Sequence, residues 1–141
     1  MLFRSLVLDD TRDIAIPSGA TSIDTTFTVN VGSDPDFTKY LNTIKSYDIT
    51  GVTLIVESYS GPTTTLNGTV TFGTSSVGLT NWELKTGSEK VLSFTTADLV
   101  AIGEKFQANG SETLKVKGTL SNSTSGTLKL HTKVNLKIKV I

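Results

Sequence analysis

The clearest pattern lies at the end of the chain. Leu128, Leu130, Val134, Leu136, Ile138 and Val140 alternate with Lys129, His131, Lys133, Asn135, Lys137 and Lys139. A period of two held over a dozen residues predicts a long strand with one buried and one wet face. Clean two-sided alternation of this kind belongs to antiparallel sheets. Leu114, Val116, Gly118 and Leu120 repeat it upstream, alternating with Lys115, Lys117 and Thr119. The run Ser121-Asn122-Ser123-Thr124-Ser125-Gly126 between them is rich in turn formers. Residues 112–140 are therefore expected to form a long β-hairpin.

Further strands follow the same logic. Ile23, Thr25, Phe27, Val29 and Val31 alternate with Asp24, Thr26, Thr28 and Asn30. Val52, Leu54 and Val56 make another strand, with Gly51 after Ile49 marking a bulge or bend. Tyr59-Ser60-Gly61-Pro62 reads as a turn, and Leu66, Gly68, Val70 and Phe72 as the next strand. Val77, Leu79, Trp82 and Leu84 predict one more, with a bulge at Asn81, and Leu92 and Phe94 a short one. Two segments have helical spacing instead. Ser33-Asp34-Pro35 supplies a cap and a first-turn proline ahead of Phe37, Tyr40, Leu41 and Ile44. Thr95-Thr96 opens a second, with Asp98 near its positive end, a stripe at Leu99, Ile102 and Phe106, and a stop at Asn109-Gly110.

Composition agrees with this count. The chain is rich in Thr, Ser, Gly and Val, and the β-branched members pack well on pleated sheets. Its 141 residues are expected to form a single domain, 1–141, with a core of useful size. The expected fold is all-β, an antiparallel β-sandwich of immunoglobulin-like or jelly-roll-like type with two short connecting helices. Leu2, Phe3, Leu6, Val7 and Leu8 form an apolar segment ahead of Asp9-Asp10. Residues 1–10 are read either as an ordinary first strand or as a separate strand exchanged with a neighbouring chain. The segment is too short for a signal peptide, and no apolar run reaches the roughly 20 residues that span a bilayer.

Charge changes the picture through its distribution. The net charge is zero, yet residues 1–58 carry eight acids and four bases, while residues 111–141 carry one acid and six lysines. Either acidic and basic strands lie side by side and neutralise across the sheet, or the molecule has two charged ends and stacks head to tail.

Candidate chemistry is sparse. With no Cys there is no disulfide, thiolate nucleophile or Cys-ligated metal. His131 is the single histidine and is expected at an exposed strand position between lysines, a poor setting for a catalytic base. One His and no Cys make a transition-metal site unexpected. Asp9, Asp10 and Asp13 are the densest acid group and a Ca²⁺ candidate, without the spacing of known calcium loops. Gly-rich phosphate loops are absent. The lysine face lacks the Arg and aromatic residues that nucleic-acid binding favours, and reads better as protection of a strand against aggregation. No cofactor, nucleic-acid partner, membrane span or enzymatic activity is expected.

The order of Tyr40-Leu41-Asn42-Thr43-Ile44-Lys45, Tyr47-Asp48-Ile49-Thr50-Gly51-Val52, Thr96-Ala97-Asp98-Leu99 and Leu114-Lys115-Val116-Lys117-Gly118 resembles small cell-surface proteins and lipoproteins of the Bacteroidetes type. The resemblance runs from about residue 22 onward and rests on turn and core residues. It implies an exported β-sandwich and transfers no catalytic residue. Such proteins usually begin with a lipidated Cys, and this chain has no Cys. The expected function is that of an extracellular or cell-surface structural protein, a subunit that self-assembles into a filament or appendage as a homo-oligomer or polymer. The alternatives are a monomeric surface module that binds glycan or protein, and a virion structural or decoration protein.

Overall fold

The computed structural model describes residues 2–140, and the burial expected of the Leu2 side chain lies outside what is described. The chain runs β1 (Leu2–Asn30), a 3-10 turn (Val31–Ser33), α1 (Pro35–Thr38), β2 (Ile44–Tyr59), β3 (Thr64–Phe72), β4 (Ser75–Leu84), β5 (Glu89–Val91), α2 (Thr96–Asn109) and β6 (Ser111–Val140). All strand pairs are antiparallel. They form one sheet in the order β4-β3-β6-β2-β5, with β1 on the other side of β6, nearly closed into a barrel.

The expected hairpin at 112–140 is not formed. Ser111–Val140 is one continuous strand, and its turn-rich centre bends without reversing. Its long partner is β1, which also runs through what sequence divides into two pieces. Leu2–Ile16 pairs with Gly126–Val140, and Ser22–Asn30 pairs with Ser111–Thr119, with register shifts between Ile16 and Ser22. On its other side the first half of β6 pairs with β3 and the second half with β2. Two four-stranded halves therefore share β1 and β6, which carry the chain around the corner by bends of the kind that let strands pass between sheets.

The corner is polar and close-packed. Tyr59 Oη and Thr124 Oγ1 lie 2.5 Å apart, and Thr124 also donates to the Pro62 carbonyl at 3.2 Å. Ser60 N–H donates to the Thr127 carbonyl and Ser60 Oγ accepts from Thr127 N–H. The β2–β3 connection touches β6 backbone to backbone here. A Cβ at Gly61 would fall 2.1 Å from the Ser125 carbonyl oxygen, and Gly126 has φ +149°. These partners absorb the hydrogen-bonding capacity that the sequence suggested for a turn.

Apolar residues of both halves face one core. Leu8, Ile16, Val52, Leu54, Val70, Leu114, Leu130, Val134, Leu136 and Ile138 are buried. At the open end α2 covers β2, and Phe106 meets Tyr47 and the edge of Phe72. Burial against this helix raises the Tyr47 hydroxyl above its ordinary value. The capping box of α2 is complete, with Thr95 and Asp98 exchanging hydrogen bonds and Gly110 left-handed at the C-terminus. The Thr95 backbone N–H bond holds the Asp98 carboxyl below its usual range, and the Thr95 hydroxyl adds to the effect.

The other expected helix is reduced to the single turn α1, capped by Asp34 and begun by Pro35. Phe37 is buried, Tyr40 and Ile44 are half-buried and Leu41 is exposed. The turn ends because Tyr40 N–H donates to Phe37 and Thr43 N–H to Tyr40, three residues back in each case, and Ile44 already starts β2. The bulges expected at Gly51 and Asn81 are present as register shifts, and Asn81 has φ +49°.

Candidate functional site

Of the features singled out from sequence, the N-terminal segment is the one the fold sets apart. Leu2–Ile16 lies along the outer side of β6 and is joined to the remainder of β1 through Pro17-Ser18-Gly19, where the β6 ladder is interrupted. Pro17 has no N–H to give a ladder and Gly19 has φ +78°, so this stretch is built as a break. We call residues 2–16 the arm. Leu8 and Ile16 are buried in the core, Leu6 and Val7 are half-buried, and Phe3 is 65% exposed. Strand alternation explains the division. Leu6 and Leu8 point inward, whereas Phe3 and Val7 share the outer face with Asn135 and Lys139, the residues opposite them. Lys139 sits over the Phe3 ring at 5.9 Å.

The register bears on the side-by-side reading of charge. Asp9 stands opposite Lys133, Asp13 opposite Lys129 and Asp24 opposite Lys117. Asp48 of β2 stands opposite Lys137. The basic last segment is thus flanked by acidic strands, as the side-by-side reading expects, and Lys115 Nζ lies 4.0 Å from Asp24 Oδ1.

His131 departs from its expected exposed position. Its side chain is 17% exposed and lies between two carboxylates from different strands. Nδ1 is 2.6 Å from Glu57 Oε1 on β2, and Nε2 is 2.6 Å from Asp9 Oδ1 on the arm. The lysines flanking His131 in sequence suggested a basic setting, but its neighbours across the sheet are acids. Both ring nitrogens face carboxylate oxygens, one from β2 and one from the arm.

Asp9, Asp10 and Asp13 are not brought together. Along an extended strand Asp9 and Asp13 are about 13 Å apart, and Asp10 points to the opposite face. Asp10 instead binds Arg12, whose Nε lies 3.1 and 3.2 Å from its two oxygens. Arg12 reaches further, donating to the Thr28 carbonyl at 2.7 Å and lying 5.3 Å from the Phe27 ring centre. Asp34 accepts the Asp9 N–H at 3.4 Å while capping α1 through Asp36 N–H. The arm is therefore held by its ladder and by three side-chain ties, from His131, Arg12 and Asp34. None of these ties was legible in the sequence, because each joins residues distant along the chain or across a bend.

Among the described residues, no group of three or more His, Asp or Glu side chains is arranged to hold a metal ion. No described helix is long and apolar enough to cross a membrane. No family model, curated protein or solved structure matches the chain.

Proposed function

We propose that this is a non-enzymatic structural domain, acting outside the cell or at its surface, that assembles with copies of itself by exchanging the arm. The observation that carries the reading is the arm's attachment. Fifteen residues that bury Leu8 and Ile16 and pair with the whole second half of β6 are joined covalently to the rest of the domain through Pro17-Ser18-Gly19. An arm from a second copy can make the same ladder and fill the same core positions, so the exchanged and closed forms share their contacts. The hinge conformation and the protein concentration then decide between them. Reciprocal exchange gives a dimer, and exchange passed from one copy to the next gives the filament or appendage subunit expected from sequence. The facing halves of the folded sheet support reading the architecture as a two-layer sandwich.

A surface module that binds as a monomer is the second reading. A depression of about 510 Å³ lies beside exposed Phe3, lined by Ser46, Asp48, Lys137 and Lys139. It is open and of mixed charge, and it names no ligand.

Shortening the hinge tests the assembly reading. Deletion of Ser18 and Gly19 leaves too few residues to span the bend in β6 with both parts of β1 in register on the same chain, a change that favours exchange. Sizing by light scattering is expected to show folded dimers or larger species. A folded monomer with an unchanged melting temperature would contradict the reading.

A further inference from the structure

We infer that His131 is a proton-operated latch on the arm. The inference rests on the reading of residues 2–16 as an element that opens. Its basis is the arrangement of donors. An imidazolium carries an N–H on both ring nitrogens, whereas a neutral imidazole carries one and presents a lone pair at the other. Each nitrogen of His131 faces a carboxylate oxygen at 2.6 Å. The charged ring satisfies both acids and ties the arm, through Asp9, to β6 and β2. The neutral ring can donate to Asp9 or to Glu57 but not to both, and the nitrogen left without a proton faces an anion. Deprotonation therefore sets the two acids in competition and weakens the tie to the arm.

The surrounding charges fit this role. On β6, Lys129 and Lys133 flank His131 on the same face. On the arm, Thr11 is directly opposite, with Asp9 and Asp13 diagonal to it. On β2, Ile55 is directly opposite and Glu57 completes the clasp, while Glu89 of β5 lies one strand further out, opposite Ile55. Asp13 stands opposite Lys129 and Asp9 opposite Lys133, whereas Glu57 falls in the bulge between Val56 and Ser58 with no residue directly opposite it, and its close contact is the ring at 2.6 Å. The sign follows. The arm is held more firmly when the ring carries a proton on both nitrogens, and opens more readily when it carries only one. Rising pH thus favours release and exchange.

Hydrogen exchange of the arm amides in the full chain, corrected for intrinsic rates, tests the latch without requiring assembly. Residues 4–14 are expected to open roughly two- to fivefold more often at pH 8 than at pH 5.5, the size suited to a partly exposed ion pair. His131→Gln should abolish that difference. Glu57→Gln should also abolish it but keep the arm closed at pH 8, because its amide donates to Nδ1 and leaves the Nε2 proton for Asp9. Equal protection at both pH values in the wild-type chain would overturn the latch, as would an unchanged pH effect in His131→Gln. Loss of arm protection in Glu57→Gln at pH 8 would overturn the competition on which it depends. A pH effect without any exchange between chains would leave the latch standing and remove the assembly reading.

Discussion

At the scale of single residues, the inner face of β6 contains one informative irregularity. Thr132 interrupts the apolar series between Leu130 and Val134, is fully buried, and its Oγ1 has no hydrogen-bond partner. A buried hydroxyl without a partner is unfavourable, and replacing it by a methyl of the same shape removes that cost. Thr132→Val is expected to stabilise the protein by about 1 kcal/mol, read as a higher melting temperature. A clear loss of stability would show that the hydroxyl makes a bond essential to the fold. The alternation that placed Leu130, Val134, Leu136, Ile138 and Val140 inside was legible because burial follows side-chain parity along a strand. The His131 clasp was not, because parity says which face a residue takes and nothing about which strand lies beside it.

At the scale of elements, local signals were reliable and reversals were not. The Thr95–Asp98 box and Gly110 mark α2 because capping is satisfied within a few residues. The segment 121–126 has the composition of a turn, yet a bend takes the same residues when a neighbouring connection supplies the partners. Apart from exposed Asn122 at the bend, the even-numbered positions from Leu114 through Val140 are buried or half-buried, a parity that suits a hairpin and a bent strand equally. The same holds for Phe37, Tyr40, Leu41 and Ile44, where helical spacing over two turns was cut to one by the start of β2. The packing of α2 has its own requirement. Gly103 brings the helix backbone against β2, and a Cβ there would fall 2.3 Å from the Tyr47 carbonyl oxygen. Gly103→Ala must push α2 away from Phe72 and Tyr47, and is expected to destabilise by about 1–3 kcal/mol in denaturant titration despite the better helix propensity of Ala. A stabilising effect would mean that α2 does not seat as closely as described.

At the scale of the whole molecule, two long strands hold the architecture together. Bends in β1 and β6 turn one antiparallel sheet toward closure, α2 covers the open end, and the first half of β1 remains an edge strand joined by a short break. Sequence set residues 1–10 apart from a strand starting at Ile23, whereas the β6 pairing of the arm runs on to Ile16 before the register shifts. What sequence left open was the identity of the partner, since the β6 edge that receives Leu2–Ile16 is present in every copy of the chain.

That ambiguity gives the most direct measurement. Val7 and Asn135 stand opposite each other on the outer face of the sheet, and the chain has no native Cys to interfere. One chain carrying only Val7→Cys is mixed at high concentration with another carrying only Asn135→Cys, and the two thiols are joined by a short bis-maleimide, each thiol adding across one maleimide double bond. The double variant in a single chain, which closes internally, verifies the geometry. Arm exchange predicts a covalent heterodimer in which the thiol introduced on the arm of one chain is bridged to the thiol introduced on β6 of the other, in a yield that rises with concentration. If the double variant closes internally and the mixture yields no such heterodimer at any concentration, the arm stays with its own domain and the account of assembly is wrong.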